Sequence, residues 1–557
     1  MECASSCSRG QCGSTRLSGY DGFVALAHAG LRSKPLSTAR RALRMHACAA
    51  ASALAAALGG CAIGPDYLPE TAPVSKTFKE LKGWKVATPS DSLPRGDWWA
   101  FYKDANLNFL IKQVEISNQT VAAQAAAYEQ ARALIREAQA ALFPTLSASY
   151  TATRSHIGAA ASGGTATTTS ATTVAGQAGI TTSTFVPGVS GSWDLDIWGK
   201  VRRQIESNAS AAQVSAADLD NVKLVAQAQL ATAYFNLRAA DALQAILLRS
   251  VQEYKKTLEI VRNQLKGGYS VSEADVATAE AQVFNTQSLA INVGVQRAQY
   301  EHAIAMLVGR PPAELTMAQR PLSGAIPKLP VSVPSALLER RPDIAAAERT
   351  MQEQNALIGV QMAAYFPDVS LSAVLQWSGS RPFPFNVANE IWSLGGAATQ
   401  ILFDGGLRGA QIDAARAVYW QSVANYRQTV LSAFQGVEDE LAAIRILTQQ
   451  LAVQRKAVNS EREAVRVYLA QFQGGTVAFT TVVTAQIQLL SYEESELTIR
   501  QNLFLASVAL IQDLGGGWDV NLLPTKKELE ADFSLLPQLP PNRAGLRFES
   551  SEKSPSL

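Results

Sequence analysis

The chain has 557 residues, 47% of them hydrophobic and 17% charged, with a formal net charge of +2 at pH 7. That balance offers no basic face for nucleic acid, and beyond the N-terminal region no apolar run reaches the ~18 residues of a membrane-spanning helix. Any membrane span is therefore expected as a closed β-barrel, the other structure that satisfies its own backbone in lipid.

The first element is an export signal, taken as residues 1–60. Arg40, Arg41 and Arg44 precede the apolar run 47–58, and Leu58-Gly59-Gly60-Cys61 follows. A charged front, a short apolar centre and a small-residue exit are the marks of a cleaved signal peptide. Residues 1–39 are long for such a leader, as an early start codon would make them. Leu-Gly-Gly-Cys resembles the bacterial lipobox, which implies cleavage before Cys61 and diacylation of its thiol. Ala62 follows where an Asp would retain a lipoprotein at the inner membrane, so the outer membrane stays open. Cys3, Cys7, Cys12 and Cys48 leave with the signal. The mature chain then has neither a disulfide nor a thiolate metal site. His156 and His302 stand apart, so no metal or cofactor site is expected.

Residues 61–104 read as an extended leader rich in Pro and turn residues, pinned at its end by Trp98, Trp99 and Phe101. Helical periodicity runs from Leu107 to Leu142 and breaks near Ser117-Asn118. The period then changes to two. In 145–153, Leu146, Ala148, Tyr150 and Ala152 alternate with Ser and Thr. In 189–198, Val189, Trp193, Leu195 and Ile197 share one face. In 368–377, Val369, Leu371, Ala373, Leu375 and Trp377 share another, and 392–403 alternates less cleanly. A half-buried sheet on a soluble core would show the same alternation; with the export signal in front, these strands are read as those of an outer-membrane barrel, one face apolar and the other wet. Between them lie two proline-free stretches, 188–310 and 385–523. Residues 200–266 and 406–473 read as continuous helices, each ending at a Gly-Gly pair and followed by a partner helix, about 272–308 and 478–513. Helices of that length must pack in a wall or a coiled coil.

These elements form two copies of one plan. Gly267-Gly268 shifts by 207 onto Gly474-Gly475, and Gly199-x-x-Arg202 by 206 onto Gly405-x-x-Arg408. The offset reaches 223 between ALFPTLSASY (141–150) and AYFPDVSLSA (364–373). The plan is a first repeat at 105–310, a linker at 311–335, a second repeat at 336–520 and a tail at 521–557 expected to be disordered. Four strands cannot close a barrel, and open edges are excluded in lipid. Three chains supply twelve strands, so a homotrimer is expected.

The chain resembles the TolC-like outer-membrane efflux proteins, in the OprM/NodT lipoprotein branch, across residues 61–520. The resemblance rests on Leu-Gly-Gly-Cys-Ala-Ile-Gly-Pro-Asp-Tyr (58–67), Trp98-Trp99 with Asp104 and Leu107, and Asp-Ile-Trp-Gly-Lys (196–200). It also rests on Leu-Leu-Glu-Arg-Arg-Pro-Asp-Ile (337–344) and Leu-Phe-Asp-Gly-Gly (402–406). It implies an α+β membrane protein of duplicated TolC-like fold. Long antiparallel helical hairpins make a periplasmic α-barrel, and four strands per chain join a trimeric 12-stranded outer-membrane β-barrel. It implies the passive exit duct of a tripartite pump for drugs or other small toxic compounds, with a periplasmic adaptor and an inner-membrane RND-type transporter as partners. It implies no enzymatic activity. The alternatives are a duct for type I protein secretion and a periplasmic coiled-coil adaptor or structural lipoprotein.

Within that resemblance the helical tips are the gate and the adaptor contact. Gly267, Gly268, Gly474 and Gly475 are the hairpin tips. Glu273 and Asp275 are the first copy's tip acids, and Asp275 falls at the family's usual acidic position. Three copies would make a ring of negative charge suited to selecting cations; the bland alternative is solvated acids at a helix start. The second copy departs from the pattern. Phe472, Val477, Thr481 and Thr484 stand where TolC has an aromatic, a basic and two acidic residues, so an apolar, hydroxyl-lined constriction is expected. Arg341-Pro342-Asp343 is read as a helix start, with Pro342 in the first turn and Asp343 on the N-terminal dipole.

Overall fold

The structure, a computed structural model, describes residues 62–72, 78–80, 97–158, 180–269, 271–324, 340–531 and 533–534. Cys61 and the signal lie outside the described residues. The helices are α1 (Ala105–Ser117), α2 (Gln119–Ala140), α3 (Lys200–Lys266), α4 (Glu273–Leu307), α5 (Pro342–Ala363), α6 (Leu407–Gln473), α7 (Phe479–Asp513) and α8 (Lys526–Glu530). The strands are β1 (Thr145–Ile157), β2 (Ile180–Asp194), β3 (Asp368–Trp377) and β4 (Glu390–Thr399).

The two 67-residue helices, α3 and α6, are each roughly 100 Å long at 1.5 Å per residue. Their starts share one device. Asp196 accepts from the Val201 and Arg202 amides at 3.0 Å, and Arg202 Nε returns to its carboxylate at 3.2 Å. Asp404 accepts from Gly406 N at 2.9 Å and Arg408 N at 3.2 Å, and Arg408 Nε lies 2.6 Å from it. A carboxylate on the orphan amides of a first turn is favourable at the positive end of the helix dipole.

Among the described residues, neither long helix packs on a single partner of its own length. α3 lies against α4 and α7 towards the Gly-Gly end and against α2 and α5 towards the sheet. The short helices meet end to end. Asn118, the N-cap of α2, donates from Nδ2 to Leu307 O at 2.7 Å, at the last turn of α4. Arg341, the N-cap of α5, donates from Nη1 to Asp513 O at 2.8 Å, at the last turn of α7. Asn118 and Arg341 are 223 apart, and Leu307 and Asp513 are 206 apart, so one latch has been built twice with different chemistry. The wall therefore has four lanes: α4 with α2, then α3, then α7 with α5, then α6. Arg341 also pairs with Asp343 at 2.7 Å and Asp513 Oδ1 at 3.1 Å, which gives the Arg-Pro-Asp segment a structural role.

The strands form one antiparallel sheet in the order β1-β2-β3-β4, rather than two separate hairpins; β2 and β3 join the two copies. β2 begins at Ile180, earlier than the expected 189, and runs through Pro187. Proline is tolerated because it pairs with Tyr150 of β1 while the ladder to β3 lapses at 186–187 and resumes at Phe185↔Gly379.

The leader runs down the wall from the sheet. Ile63 N bonds Trp198 O, Arg203 reaches the carbonyls of Ile63 and Gly64, and Asn355 holds Pro65 O at 2.9 Å. Farther on, Glu438 accepts from the amides of Lys79 and Glu80, and Arg445 pairs with Glu80. Trp98 and Trp99 are buried in the main core, as the aromatic cluster predicts.

The expectation of a disordered tail from 521 is corrected for its first residues. Thr525 and Glu528 form a capping box on α8. Leu529 is buried beside Ile135, and Gln213 and Gln139 donate to Pro524 O and Glu530 O. One buried leucine and a cap suffice to dock a single helical turn, a signal too short for hydrophobic periodicity to reveal.

Candidate functional site: the helical tips and the two-faced sheet

Both hairpins turn through the same cap. In the first, Tyr269 N donates to Gln264 O at 3.1 Å and Gly268 N to Leu265 O at 3.2 Å. In the second, Thr476 N donates to Gln471 O at 2.9 Å and Gly475 N to Phe472 O at 3.0 Å. These are Schellman caps, which need a left-handed residue just past the helix end; Gly268 and Gly475 supply it at φ 74° each. A Cβ at either would meet no atom within 4 Å, so backbone conformation alone selects glycine there. Gly267 and Gly474 are the preceding right-handed caps.

The structure places the expected gate residues unequally. Glu273 is exposed in the first turn of α4. Asp275 is committed to that helix start: its carboxylate accepts from Ser272 N at 2.9 Å and Ser272 Oγ at 2.8 Å, closing a capping box. Phe472 corrects the apolar-constriction expectation. It is only 4% exposed, with its ring 5.4 Å from Phe479 inside a core shared with Val251, Tyr254, Val261 and Val482. The aromatic side chain packs inward because it lies between the tips of the two hairpins, a tertiary placement that no local pattern encodes. Thr481 and Thr484 line an open polar cleft of about 390 Å³ with Glu461 and Tyr468.

Several residues that tie the hairpins together have no sequence signature. Glu493 of α7 is buried and takes Arg249 of α3 on one oxygen and Arg462 of α6, at 2.7 Å, on the other. Tyr254 donates to Gln486 O at 3.0 Å, and Gln486 Nε2 to Thr257 Oγ1 at 2.9 Å. Burial pushes the Tyr254 phenol up to about 12, so it stays a donor at any ordinary pH. Gln264 Nε2 reaches Phe472 O at 3.2 Å. Sequence separations of 208 to 244 residues keep the contacts from α3 to the second hairpin out of reach of periodicity.

At the other end the register sorts the sheet into two faces. One carries Leu146, Val189, Leu375, Trp193, Leu371 and Leu394, aligned by Ala148↔Val189, Val189↔Leu375 and Ala373↔Leu394. Leu146 is 78% exposed and Leu394 77%, so this apolar face is bare in the single chain. The other face is a hydroxyl ladder: Thr145 to Ser192 at 2.9 Å, Ser147 to Ser190 at 2.8 Å and Ser155 to Thr182 at 2.9 Å. Apolar outside and wet inside is the pattern of a membrane barrel strand. No helix among the described residues is long and apolar enough to cross a membrane.

Two-faced strands mounted on a wall of ~100 Å helices define a duct-forming membrane protein. The family model described as outer membrane efflux protein matches residues 110–310 and 333–516, and the chain belongs to that family. It is 28% identical over 468 residues to the cation efflux system protein CusC of Escherichia coli, covering 84% of this chain and 97% of that one. It is 28% identical over 471 residues to the toluene efflux pump outer membrane protein TtgC of Pseudomonas putida, covering 83% and 93%. Among solved structures it matches the outer-membrane channel OprN with TM-score 0.73 and 27% identity, over 82% of this chain and all of that one. The Campylobacter jejuni CmeC outer membrane channel matches in fold, with TM-score 0.75 at 20% identity, over 85% and 99%. The fold is TolC-like, and the protein is an outer-membrane efflux channel.

Proposed function

We propose that three copies of this chain form the passive exit duct of a tripartite efflux pump, receiving small toxic compounds from an inner-membrane RND-type transporter through a periplasmic adaptor. The observation that carries the reading is the sheet with one apolar and one hydroxyl-lined face, left open at both edges. Among the described residues β1 and β4 each lack a neighbour on one side, which lipid does not tolerate. Two copies would give an eight-stranded barrel filled by its own side chains; three give twelve strands and a lumen. The wall is open in the same sense. The free lane α6 exposes Val418, Ile446, Val453 and Val467, spaced by multiples of seven. The opposite free lane exposes Phe284, Ile291, Val295 and Met306 on α4. Each copy's α6 packs against the next copy's α4, and the ring closes after three.

The tips form the periplasmic gate and the adaptor contact, and Glu273 supplies its charge. Opening requires the α6–α7 tip to move against the α3–α4 tip, and the bonds of Glu493, Tyr254 and Gln486 oppose that movement. Cys61 is the lipid anchor of the mature chain. It lies one residue before Ala62, whose Cα is packed against Gly199 beside the sheet's lower end, so acyl chains there would enter the same membrane. The function is that of a conduit, without a catalytic step. Deleting the gene is expected to raise the host's susceptibility to the pump's compounds, and restoration by the wild-type chain is expected to need the cognate adaptor and transporter. Restoration without them would contradict the tripartite reading.

A further inference from the structure

The β3–β4 loop, Ser378–Asn389, does not stand clear of the sheet. It leaves β3, crosses β2 through the Phe185↔Gly379 bridge and reaches β1, where Tyr150 Oη donates to Pro382 O at 2.9 Å. Tyr150 belongs to the apolar face, as do Pro187 and Trp377 at the same level. Pro187 is buried, and so is Pro384 in the loop. The Trp377 and Phe385 rings lie 5.3 Å apart edge to face, and Phe383 lies 6.3 Å from Tyr150. The loop is internally fixed: Asn389 N donates to Asn386 Oδ1 at 2.9 Å, Asn389 Nδ2 to Pro384 O at 3.2 Å, and Ser378 N to Asn389 O at 2.9 Å. A rigid loop folded down on the outer face nevertheless turns Phe383, Phe385 and Val387 outward, 76%, 59% and 88% exposed. Burying two aromatic rings and a valine elsewhere would favour folding, so their exposure demands an apolar surrounding.

Charge marks the level of that surrounding. Going up β1 on the apolar face, Leu146, Ala148, Tyr150 and Ala152 give way to Arg154 and His156. Arg381 precedes the loop's aromatics and is exposed, as is Arg154. Aromatic side chains with one cationic side chain above them on β1 and another beside them in the loop suit the boundary between acyl chains and anionic headgroups. We propose that the β3–β4 loop is a lipid wedge: Phe383 and Phe385 enter the acyl region of the outer leaflet, and Arg154 and Arg381 hold the phosphates of an anionic lipid above them. The inference rests on the outer-membrane reading of the sheet.

The test places a photoreactive residue, p-benzoylphenylalanine, in outer membranes as Phe383→p-benzoylphenylalanine, with Leu394→p-benzoylphenylalanine as the reference for the barrel. Irradiation followed by intact-mass measurement is expected to show a one-lipid adduct at both positions. A lipid adduct at 394 with none at 383, or with a protein–protein cross-link at 383, overturns the wedge while leaving the barrel intact. No lipid adduct at either position overturns both. In vesicles of mixed anionic and zwitterionic lipid, Arg154→Ala with Arg381→Ala is expected to lower the anionic share of the 383 adduct several-fold. An unchanged share refutes the role of the two arginines.

Discussion

Two glycine pairs separate conformational strain from collision. Gly268 and Gly475 need positive φ but have open space, so Gly268→Ala is expected to cost about 1–2 kcal/mol, the penalty of one left-handed residue. Gly309 and Gly515 add a clash. A Cβ would lie 2.1 Å from Ser117 O at Gly309 and 1.8 Å from Arg340 O at Gly515, where the end-to-end latches close. Gly515→Ala is expected to lower the melting temperature, followed by circular dichroism, well beyond Gly268→Ala; equal shifts would deny that the latch is closely packed. Glu440 offers a test by pH. Burial, with Asp513 and Asp439 nearby, raises its carboxyl to about 7. The folded chain then holds a proton that the unfolded chain releases near pH 4.5, so stability falls as pH rises from about 4.5 to about 7 and stays lowered above. Glu440→Gln is expected to flatten that slope and to raise the melting temperature at pH 8 relative to wild type.

The elements are legible in proportion to how local their causes are. Proline-free runs, Gly-Gly ends and period-two alternation mark α3 as 200–266 and β3 as 368–377, with the bounds the structure has, because each signal acts within a few residues. β2 reads short in the sequence, since Pro187 has the look of a boundary; it is tolerated because β3, one of its two neighbours, does not pair at that position. The tip is legible as a turn and illegible as a core. Phe472 carries no local mark of being packed against Phe479 and Val251, and Asp275 reads equally as pore charge or as a cap until Ser272 is seen beside it. The tip therefore yields two distinct expectations. Phe472→Ala removes a buried ring and is expected to cost about 3–5 kcal/mol, loosening the hairpins and raising basal conductance in planar bilayers. Glu273→Gln is expected to leave stability unchanged and to weaken cation preference; unchanged ion selectivity would make Glu273 an ordinary solvated acid. In the sheet, Leu394→Arg is expected to lower barrel stability by about 2–4 kcal/mol, and Ser190→Arg on the wet face by far less. Comparable losses from the two would mean that the faces have been assigned the wrong way round.

The whole molecule is two copies of one hairpin-and-strand unit whose exposed surfaces fit no single chain. Leu146 and Leu394 face outward, β1 and β4 end in unpaired edges among the described residues, and α4 and α6 expose apolar stripes on opposite lanes. The proposed trimer would satisfy each of these surfaces, with the edge of one copy meeting the opposite edge of the next and lipid covering the outer face. The proposed count of chains rests on closure, because the number of strands per chain is local information; contacts between chains would leave no trace in one chain's periodicity. Native mass spectrometry of the detergent-extracted protein tests this most directly. The account expects three chains in one particle. A stable particle of one chain whose strands remain paired, or of any number other than three, would contradict it.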